Sequence, residues 1–87
     1  DSEGLYGLQR AFKKAGVQTM ILTLWSVDDE AAKDFMIKFY NELANNKWNK
    51  REAFDIAKAY VRTRTYVRKG KKYIDDPYFW AAFVMLD

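Results

Sequence analysis

The sequence predicts an α/β protein with elements in the order helix, strand, helix, helix, strand. Two observations predict this class. Apolar residues recur at helical spacing in three stretches, and two other stretches are apolar at nearly every position, which is typical of strands covered on both faces of a mostly parallel sheet. Such strands normally lie inside larger sheets, because two of them alone leave their edges unpaired. We therefore expect these 87 residues to be part of a larger domain or to form a homo-oligomer through exposed sheet edges.

The first helix is predicted over residues 5–15, where charged and polar residues separate an apolar face. That face consists of Leu5, Leu8, Phe12 and Ala15. Gly16 stands where a residue in the left-handed conformation commonly ends a helix. We therefore expect a short amphipathic helix that ends at this glycine.

Residues 17–25 are β-branched and apolar on both faces, which predicts the first strand. Ser26 and Asp29 follow with the spacing of a capping box, so we expect Ser26 to cap the second helix. That helix runs to about Ala44 with one continuous apolar stripe. The stripe consists of Ala32, Phe35, Met36, Phe39, Tyr40 and Leu43.

A third helix is predicted to begin after Asn49, which acts as the N-cap with Glu52 as its capping partner, and to end near Arg64. Its expected apolar face consists of Ala53, Phe54, Ala57, Tyr60 and Val61. Residues 65–76 show no period and are interpreted as an exposed loop. Residues 79–86 follow as a second strand, whose aromatic residues Phe79, Trp80 and Phe83 we expect in the core.

The chain has no cysteine and no histidine. This excludes disulfides, a thiolate nucleophile and a histidine-based triad, and it removes the commonest zinc ligands. No phosphate-binding glycine loop or dinucleotide fingerprint is present either. We therefore expect no cofactor and no metal. Because no apolar run approaches the roughly 20 residues of a spanning helix, we also expect no membrane association and a cytoplasmic location.

Four motifs in this order and spacing resemble the C-terminal half of CHAT domains. They are Glu3-Gly4, Gly7-Leu8-Gln9-Arg10-Ala11-Phe12, Leu24-Trp25-Ser26-Val27-Asp28-Asp29 and Pro77-Tyr78-Phe79-Trp80-Ala81-Ala82-Phe83. CHAT domains are caspase-like domains, related to separase and the caspases, that often follow tetratricopeptide repeats. Two positions depart from the family pattern, since Ser2 stands where glycine is usual and Asp76 stands where histidine is usual. Neither is a catalytic position of the family.

The resemblance implies the C-terminal half of a caspase-like three-layer α/β/α fold, with residues 1–87 as a partial CHAT domain whose catalytic N-terminal half is missing. In the family, the catalytic histidine and cysteine end two successive strands that precede the segment corresponding to these residues. The intact protein would then be a cysteine endopeptidase of bacterial type, whose thiolate attacks a peptide carbonyl. The present chain would supply core strands and part of the pocket for the P1 side chain of a peptide or protein substrate, and would be inactive alone.

The candidate substrate-binding residues are Asp28 and Asp29, which follow the first strand where open α/β sheets bind ligands, and Trp25, the last residue of that strand. The resemblance to separase places Asp29 where an acidic residue receives a basic P1 side chain. Helix capping explains both aspartates without a substrate, and Trp25 is either a wall of the cleft or the last core residue of the strand. Glu3 and Gly4 are expected either in the active-site loop after the nucleophile or in a structural turn.

Two other functions remain open. The first is a CHAT-like protein-interaction module that has lost catalysis. The second is a nucleic-acid-binding domain, because the second half of the chain is basic and tyrosines lie among the charges. Its basic residues are Arg62, Arg64, Arg68, Lys69, Lys71 and Lys72. No recognised binding motif accompanies this charge, so we regard nucleic acid as an unlikely partner.

Overall fold

The computed structural model describes residues 2–45 and 49–87, and for residues 2 and 3 it describes the backbone alone. The helices in this part of the chain are Ser2–Lys14 (α1), Asp29–Asn45 (α2), Lys50–Thr63 (α3) and Pro77–Trp80 (α4). The strands are Met20–Thr23 (β1), Thr65–Arg68 (β2), Lys71–Ile74 (β3) and Phe83–Leu86 (β4). The prediction of a mixed α/β protein is confirmed. None of the four described helices is long and apolar enough to cross a membrane.

Helix α1 ends at Lys14, and the predicted glycine follows in the left-handed conformation. Gly16 has a φ of 97°, in the left-handed region that glycine adopts without steric cost. The amide of Gly16 donates to the carbonyl of Lys13, and the amide of Val17 donates to the carbonyl of Phe12 at 2.9 Å. These two bonds form a Schellman motif, which satisfies carbonyls that the last helical turn leaves unpaired.

The strands β1 and β4 form a two-stranded antiparallel sheet, in which Met20 lies opposite Leu86 and Thr23 opposite Phe83. The expectation of a mostly parallel sheet is therefore wrong for this pair. The first strand is also shorter than the predicted range 17–25: residues 17–19 lie before it, and residues 24–25 form a bend after it.

The second predicted strand, residues 79–86, is wrong in its first half. Residues 77–80 form the single turn of α4, and the strand begins only at Phe83. Asp76 caps this turn by accepting from the amide of Tyr78 at 3.0 Å, and Pro77 occupies the first helical position, where its missing N–H costs nothing. Phe79 and Phe83 are buried as predicted, whereas Trp80 is half-buried and packs against the core.

The core lies between α2, α3 and one face of the β1–β4 sheet. The side chain of Phe35 is fully buried, and its ring stacks on that of Phe83 with centroids 4.1 Å apart. Helix α2 buries one residue per turn, namely Ala31, Phe35, Phe39 and Leu43. The predicted stripe is therefore too wide: Met36 and Tyr40 are exposed, because α2 packs through one narrow face.

The interpretation of residues 65–76 as an exposed loop is wrong, because they contain the antiparallel hairpin β2–β3. Lys69 and Gly70 connect the strands with φ angles of 51° and 76°, the positive values that a tight two-residue hairpin turn requires. Tyr66 lies opposite Tyr73 in the hairpin, and both rings contact Phe79 of α4. The hairpin is therefore attached to the core by aromatic packing.

Candidate functional site

The segment 24–28 joins the carboxyl end of β1 to the first residue of α2. It contains Trp25 and Asp28, and Asp29 follows as the first helical residue. The three predicted substrate-binding residues are thus grouped at the end of a strand, as expected. Whether they bind a substrate stays a prediction.

Two hydrogen bonds in opposite directions attach this segment to α4. The indole Nε1 of Trp25 donates to the carbonyl of Tyr78 at 3.0 Å, and the hydroxyl of Tyr78 donates to the carbonyl of Ser26 at 3.0 Å. Trp25 is 39% exposed and Tyr78 is 46% exposed, so Trp25 is a residue of the surface and not of the core. Sequence reasoning missed Tyr78, because its position beside Trp25 depends on the antiparallel pairing of β1 with β4.

Asp28 caps α2. Its carboxylate accepts from the amide of Ala31 at 3.1 Å, and its carbonyl accepts from the amide of Ala32 at 2.9 Å. The prediction that Ser26 is the cap is therefore wrong, because the helix begins one residue after Asp28.

Asp28 also forms an ion pair with Arg68 of the hairpin. Nε of Arg68 lies 2.6 Å from Oδ1 of Asp28, and Nη2 contacts both Oδ2 of Asp28 and, at 2.9 Å, Oε1 of Glu30. The hydrogen bond from Arg68 holds the pKa of Asp28 below its usual value, in opposition to the smaller effect of burial. The same contact with Asp28 raises the pKa of Arg68. Asp28 therefore has its carboxylate occupied on both oxygens.

Asp29 differs from Asp28 in its surroundings. It is exposed, and among the described residues its carboxylate has no hydrogen-bond or ion-pair partner. Its backbone lies in the first turn of α2, where the helix dipole favours a negative charge. The structure thus distinguishes two adjacent aspartates: Asp28 is paired with Arg68, and Asp29 is exposed without a partner among the described residues.

Comparison with known proteins identifies the family. The family model described as "CHAT domain" matches residues 1–87. The chain belongs to the CHAT domain family. It is 32% identical over 85 residues to mouse Tetratricopeptide repeat protein 28, and 31% identical over 85 residues to the human protein of that name. Each alignment covers 98% of this chain and 3% of the relative, so the chain spans a small part of the curated proteins that it matches.

No solved structure matches this CHAT chain. The caspase-like three-layer arrangement accordingly remains an expectation from the family resemblance, whereas the mixed α/β class is observed. The family itself, and its association with tetratricopeptide repeat proteins, agree with the resemblance drawn from the sequence motifs.

A second polar cluster connects the hairpin of the CHAT chain to the middle of α2. The hydroxyl of Tyr66 donates to Oδ2 of Asp34 at 2.8 Å, and Nε of Arg64 lies 3.4 Å from the same oxygen. Tyr66 is 1% exposed. Burial, followed by the hydrogen bond to Asp34, raises the pKa of Tyr66 and keeps its hydroxyl protonated.

The active-site loop predicted for Glu3 and Gly4 is not a loop in the structure. Both residues lie in the first turn of α1, where Gly4 is exposed. The side chain of Glu3 lies outside the described residues. Their proposed proximity to a nucleophile stays a prediction.

The basic segment of the CHAT chain uses its arginines within the fold. Arg62 pairs with Asp75 at 2.9 Å, Arg64 pairs with Asp34, and Arg68 pairs with Asp28 and Glu30. The three lysines of the hairpin have no ion pair with any other described residue. They are Lys69, Lys71 and Lys72. The positive charge of this segment, which suggested nucleic-acid binding, is thus partly neutralised by ion pairs within the fold.

Proposed function

We propose that this CHAT domain segment supplies part of the P1 pocket of a cysteine endopeptidase, with Asp29 as the residue that receives a basic side chain. The single observation that supports this role is the exposed carboxylate of Asp29, which has no partner among the described residues, while the neighbouring Asp28 is paired with Arg68. The thiolate nucleophile and the imidazole base would come from outside these 87 residues, which contain no cysteine and no histidine.

The chemistry of the group fits a basic substrate side chain. A carboxylate binds a guanidinium through charge-assisted hydrogen bonds, and two parallel bonds also fix its orientation. Trp25 and Tyr78 expose aromatic surface near the same end of β1, which gives the aliphatic part of an arginine or lysine an apolar contact. Specificity would arise because a substrate without the positive charge leaves the carboxylate unpaired in the complex.

The test is peptide cleavage by the full-length protein. We expect Asp29→Asn to lower kcat/KM for peptides with arginine at P1 by about 10- to 100-fold, the usual range for losing hydrogen bonds to a charged group. The same substitution should leave cleavage of a norleucine-P1 peptide nearly unchanged. Asp55→Asn is the matched control, since Asp55 is an exposed aspartate on α3.

Equal cleavage of arginine-P1 peptides by the wild-type protein and by Asp29→Asn would contradict the role of Asp29. An equal loss in Asp55→Asn would show that only the overall charge of the surface matters, which also contradicts it.

The second candidate is a CHAT-like interaction module that binds a protein segment without cleaving it. The relatives are named for tetratricopeptide repeats and not for an enzymatic activity. Peptide cleavage by the full-length protein distinguishes the two functions. If this chain is part of an interaction module, the full-length protein binds a basic peptide through Asp29 and releases no fragment of that peptide.

A further inference from the structure

Three consecutive acidic residues lie where α2 begins, namely Asp28, Asp29 and Glu30. One side chain of the hairpin, Arg68, pairs with the first and with the third. Asp29 between them is exposed and has no partner among the described residues. Arg68 thereby divides one acidic cluster into two paired carboxylates and one unpaired carboxylate.

The guanidinium of Arg68 is held by contacts at each of its three nitrogens. Nε lies 2.6 Å from Oδ1 of Asp28, and Nη2 contacts both Oδ2 of Asp28 and Oε1 of Glu30. Nη1 donates to the carbonyl of Val67 at 2.6 Å. The guanidinium carbon also lies 5.7 Å from the centre of the Tyr66 ring, within the range of a cation–π contact. Arg68 therefore has little freedom to leave the two carboxylates.

The strand that carries Arg68 is itself fixed on α2. Tyr66 lies two residues before Arg68 in β2 and therefore on the same face of the strand. The hydroxyl of Tyr66 donates to Asp34 of α2 at 2.8 Å, and its ring stacks on that of Phe79 with centroids 4.8 Å apart. All of these contacts are formed between residues of this chain, and none of them requires a segment outside the 87 residues.

We propose that Arg68 is a specificity-determining residue for the P1 pocket. By holding Asp28 and Glu30, it leaves Asp29 as the only one of the three carboxylates that accepts the P1 side chain. The inference rests on the proposed function of Asp29 and adds a substrate class to it, which is peptides with arginine rather than lysine at P1. Arg68 acts through the neighbouring carboxylates and does not itself contact the substrate.

A single carboxylate discriminates between the two basic side chains. The planar guanidinium of a substrate arginine forms two parallel bonds with the two oxygens of one carboxylate. The ammonium of lysine is a point charge with three donors, so it gains more from several surrounding acceptors. Release of Asp28 and Glu30 would supply such acceptors and would favour lysine more than arginine. Arg68 therefore favours arginine because it limits the number of carboxylates that the P1 side chain meets.

Competitive cleavage by the full-length protein tests this inference. One reaction contains two peptides that differ only in arginine or lysine at P1, and the ratio of their products gives the ratio of their kcat/KM values. Because both peptides meet the same enzyme molecules, this ratio does not depend on how much of a variant is folded. We expect the wild type to prefer arginine. Arg68→Met should lower the arginine-to-lysine ratio by about 10-fold, the lower end of the range for hydrogen bonds to a charged group.

Two further variants separate the contact from the charge. Lys71 lies opposite Arg68 in the hairpin and has no ion pair with another described residue, so Lys71→Met removes the same charge without releasing a carboxylate. It should leave the arginine-to-lysine ratio unchanged. Arg68→Lys keeps the charge, but an ammonium does not hold both carboxylates as the guanidinium does, so we expect an intermediate ratio.

A third peptide, with norleucine at P1, distinguishes failure of this inference from failure of the proposed function. If the wild type cleaves none of the peptides, or cleaves the norleucine peptide as well as the arginine peptide, the proposed function is wrong and the role of Arg68 is overturned with it. If the wild type prefers basic P1 residues but Arg68→Met has the same arginine-to-lysine ratio, the role of Arg68 alone is wrong. An equal decrease in Lys71→Met would assign the effect to overall charge and would also overturn that role.

Discussion

Arg68 and Asp28 lie 40 residues apart in the sequence, and two nitrogens of the guanidinium contact the two oxygens of the carboxylate at 2.6 and 2.5 Å. This parallel geometry is the strongest form of a side-chain ion pair, because it fixes orientation as well as distance. It connects the hairpin to the first turn of α2, next to Asp29. The contact thus pairs Asp28 and Glu30 with Arg68, whereas Asp29 between them stays exposed.

Substitution of Arg68 should weaken the attachment of the hairpin. We expect Arg68→Met to lower the melting temperature, because Asp28 and Glu30 lose their shared partner. Arg68→Lys should recover only part of the loss, since an ammonium does not reproduce the two parallel bonds. Thermal unfolding followed by circular dichroism measures both. Equal melting temperatures for the wild type and Arg68→Met would show that the pair contributes nothing to stability.

The same pair predicts a dependence of stability on acid pH. The pKa of Asp28 lies below its ordinary value of 3.8 in the folded chain, so protonation favours the unfolded state. The contribution of the ion pair to stability is fully present above the ordinary pKa of the carboxyl group, from about pH 5 upward. It is lost as the pH falls through the lower folded pKa. Urea unfolding between about pH 2 and pH 6 measures this contribution. As the pH falls, the free energy of unfolding should decrease more steeply for the wild type than for Arg68→Met.

The hydroxyl of Tyr66 should contribute measurably to stability. Tyr66→Phe removes the donor to Asp34 at 2.8 Å and keeps the ring that stacks on Phe79. We expect a loss of about 1 kcal/mol in the free energy of unfolding, the usual net value of one such bond. Tyr73→Phe is the control, because the Tyr73 hydroxyl has no hydrogen bond to another described residue. A similar loss in both variants would contradict the role of the Asp34 bond.

Substitution by alanine at two adjacent residues of α2 should change the free energy of unfolding by very different amounts. Phe35→Ala removes a fully buried ring that contacts Phe83 and Phe54, so we expect a loss of about 3–5 kcal/mol or failure to fold. Met36 is 38% exposed, and Met36→Ala should cost far less. Chemical denaturation of the two variants compares them directly. Comparable losses would mean that α2 packs through the wider stripe that the sequence suggests.

Local signals in the sequence predicted the three long helices, but not the single turn of α4. The amphipathic period and Gly16 located the end of α1, and Asn49 caps α3 by accepting from the amide of Glu52 at 3.0 Å, as its spacing indicates. The hairpin was missed because its turn is Lys69-Gly70, without the Asn-Gly or Asp-Gly pair that marks such turns most clearly. Its alternating Thr65-Tyr66-Val67-Arg68 segment carried the signal that could have found it.

The candidate site was predictable only in part. Local sequence patterns predict that Trp25, Asp28 and Asp29 lie at the end of a strand, because an apolar strand pattern precedes them and an amphipathic helix pattern follows them. Which aspartate is occupied does not follow, since Arg68 reaches Asp28 across 40 residues through a hairpin that the sequence did not reveal. Tyr78 was missed for the same reason: its contact with Trp25 spans 53 residues and depends on tertiary pairing.

The most direct test of the site follows the side-chain carboxylate ¹³C shifts of Asp28 and Asp29 while the 87-residue chain is titrated with N-acetyl-arginine amide. N-acetyl-norleucine amide, which has no charge on its side chain, is the control ligand. We predict a saturable shift of the Asp29 carboxylate with the arginine compound, little change at Asp28, and no response to the norleucine compound. A response at Asp28 instead of Asp29, an equal response to both ligands, or none at Asp29 would contradict the assignment of Asp29 as the residue that receives a basic side chain.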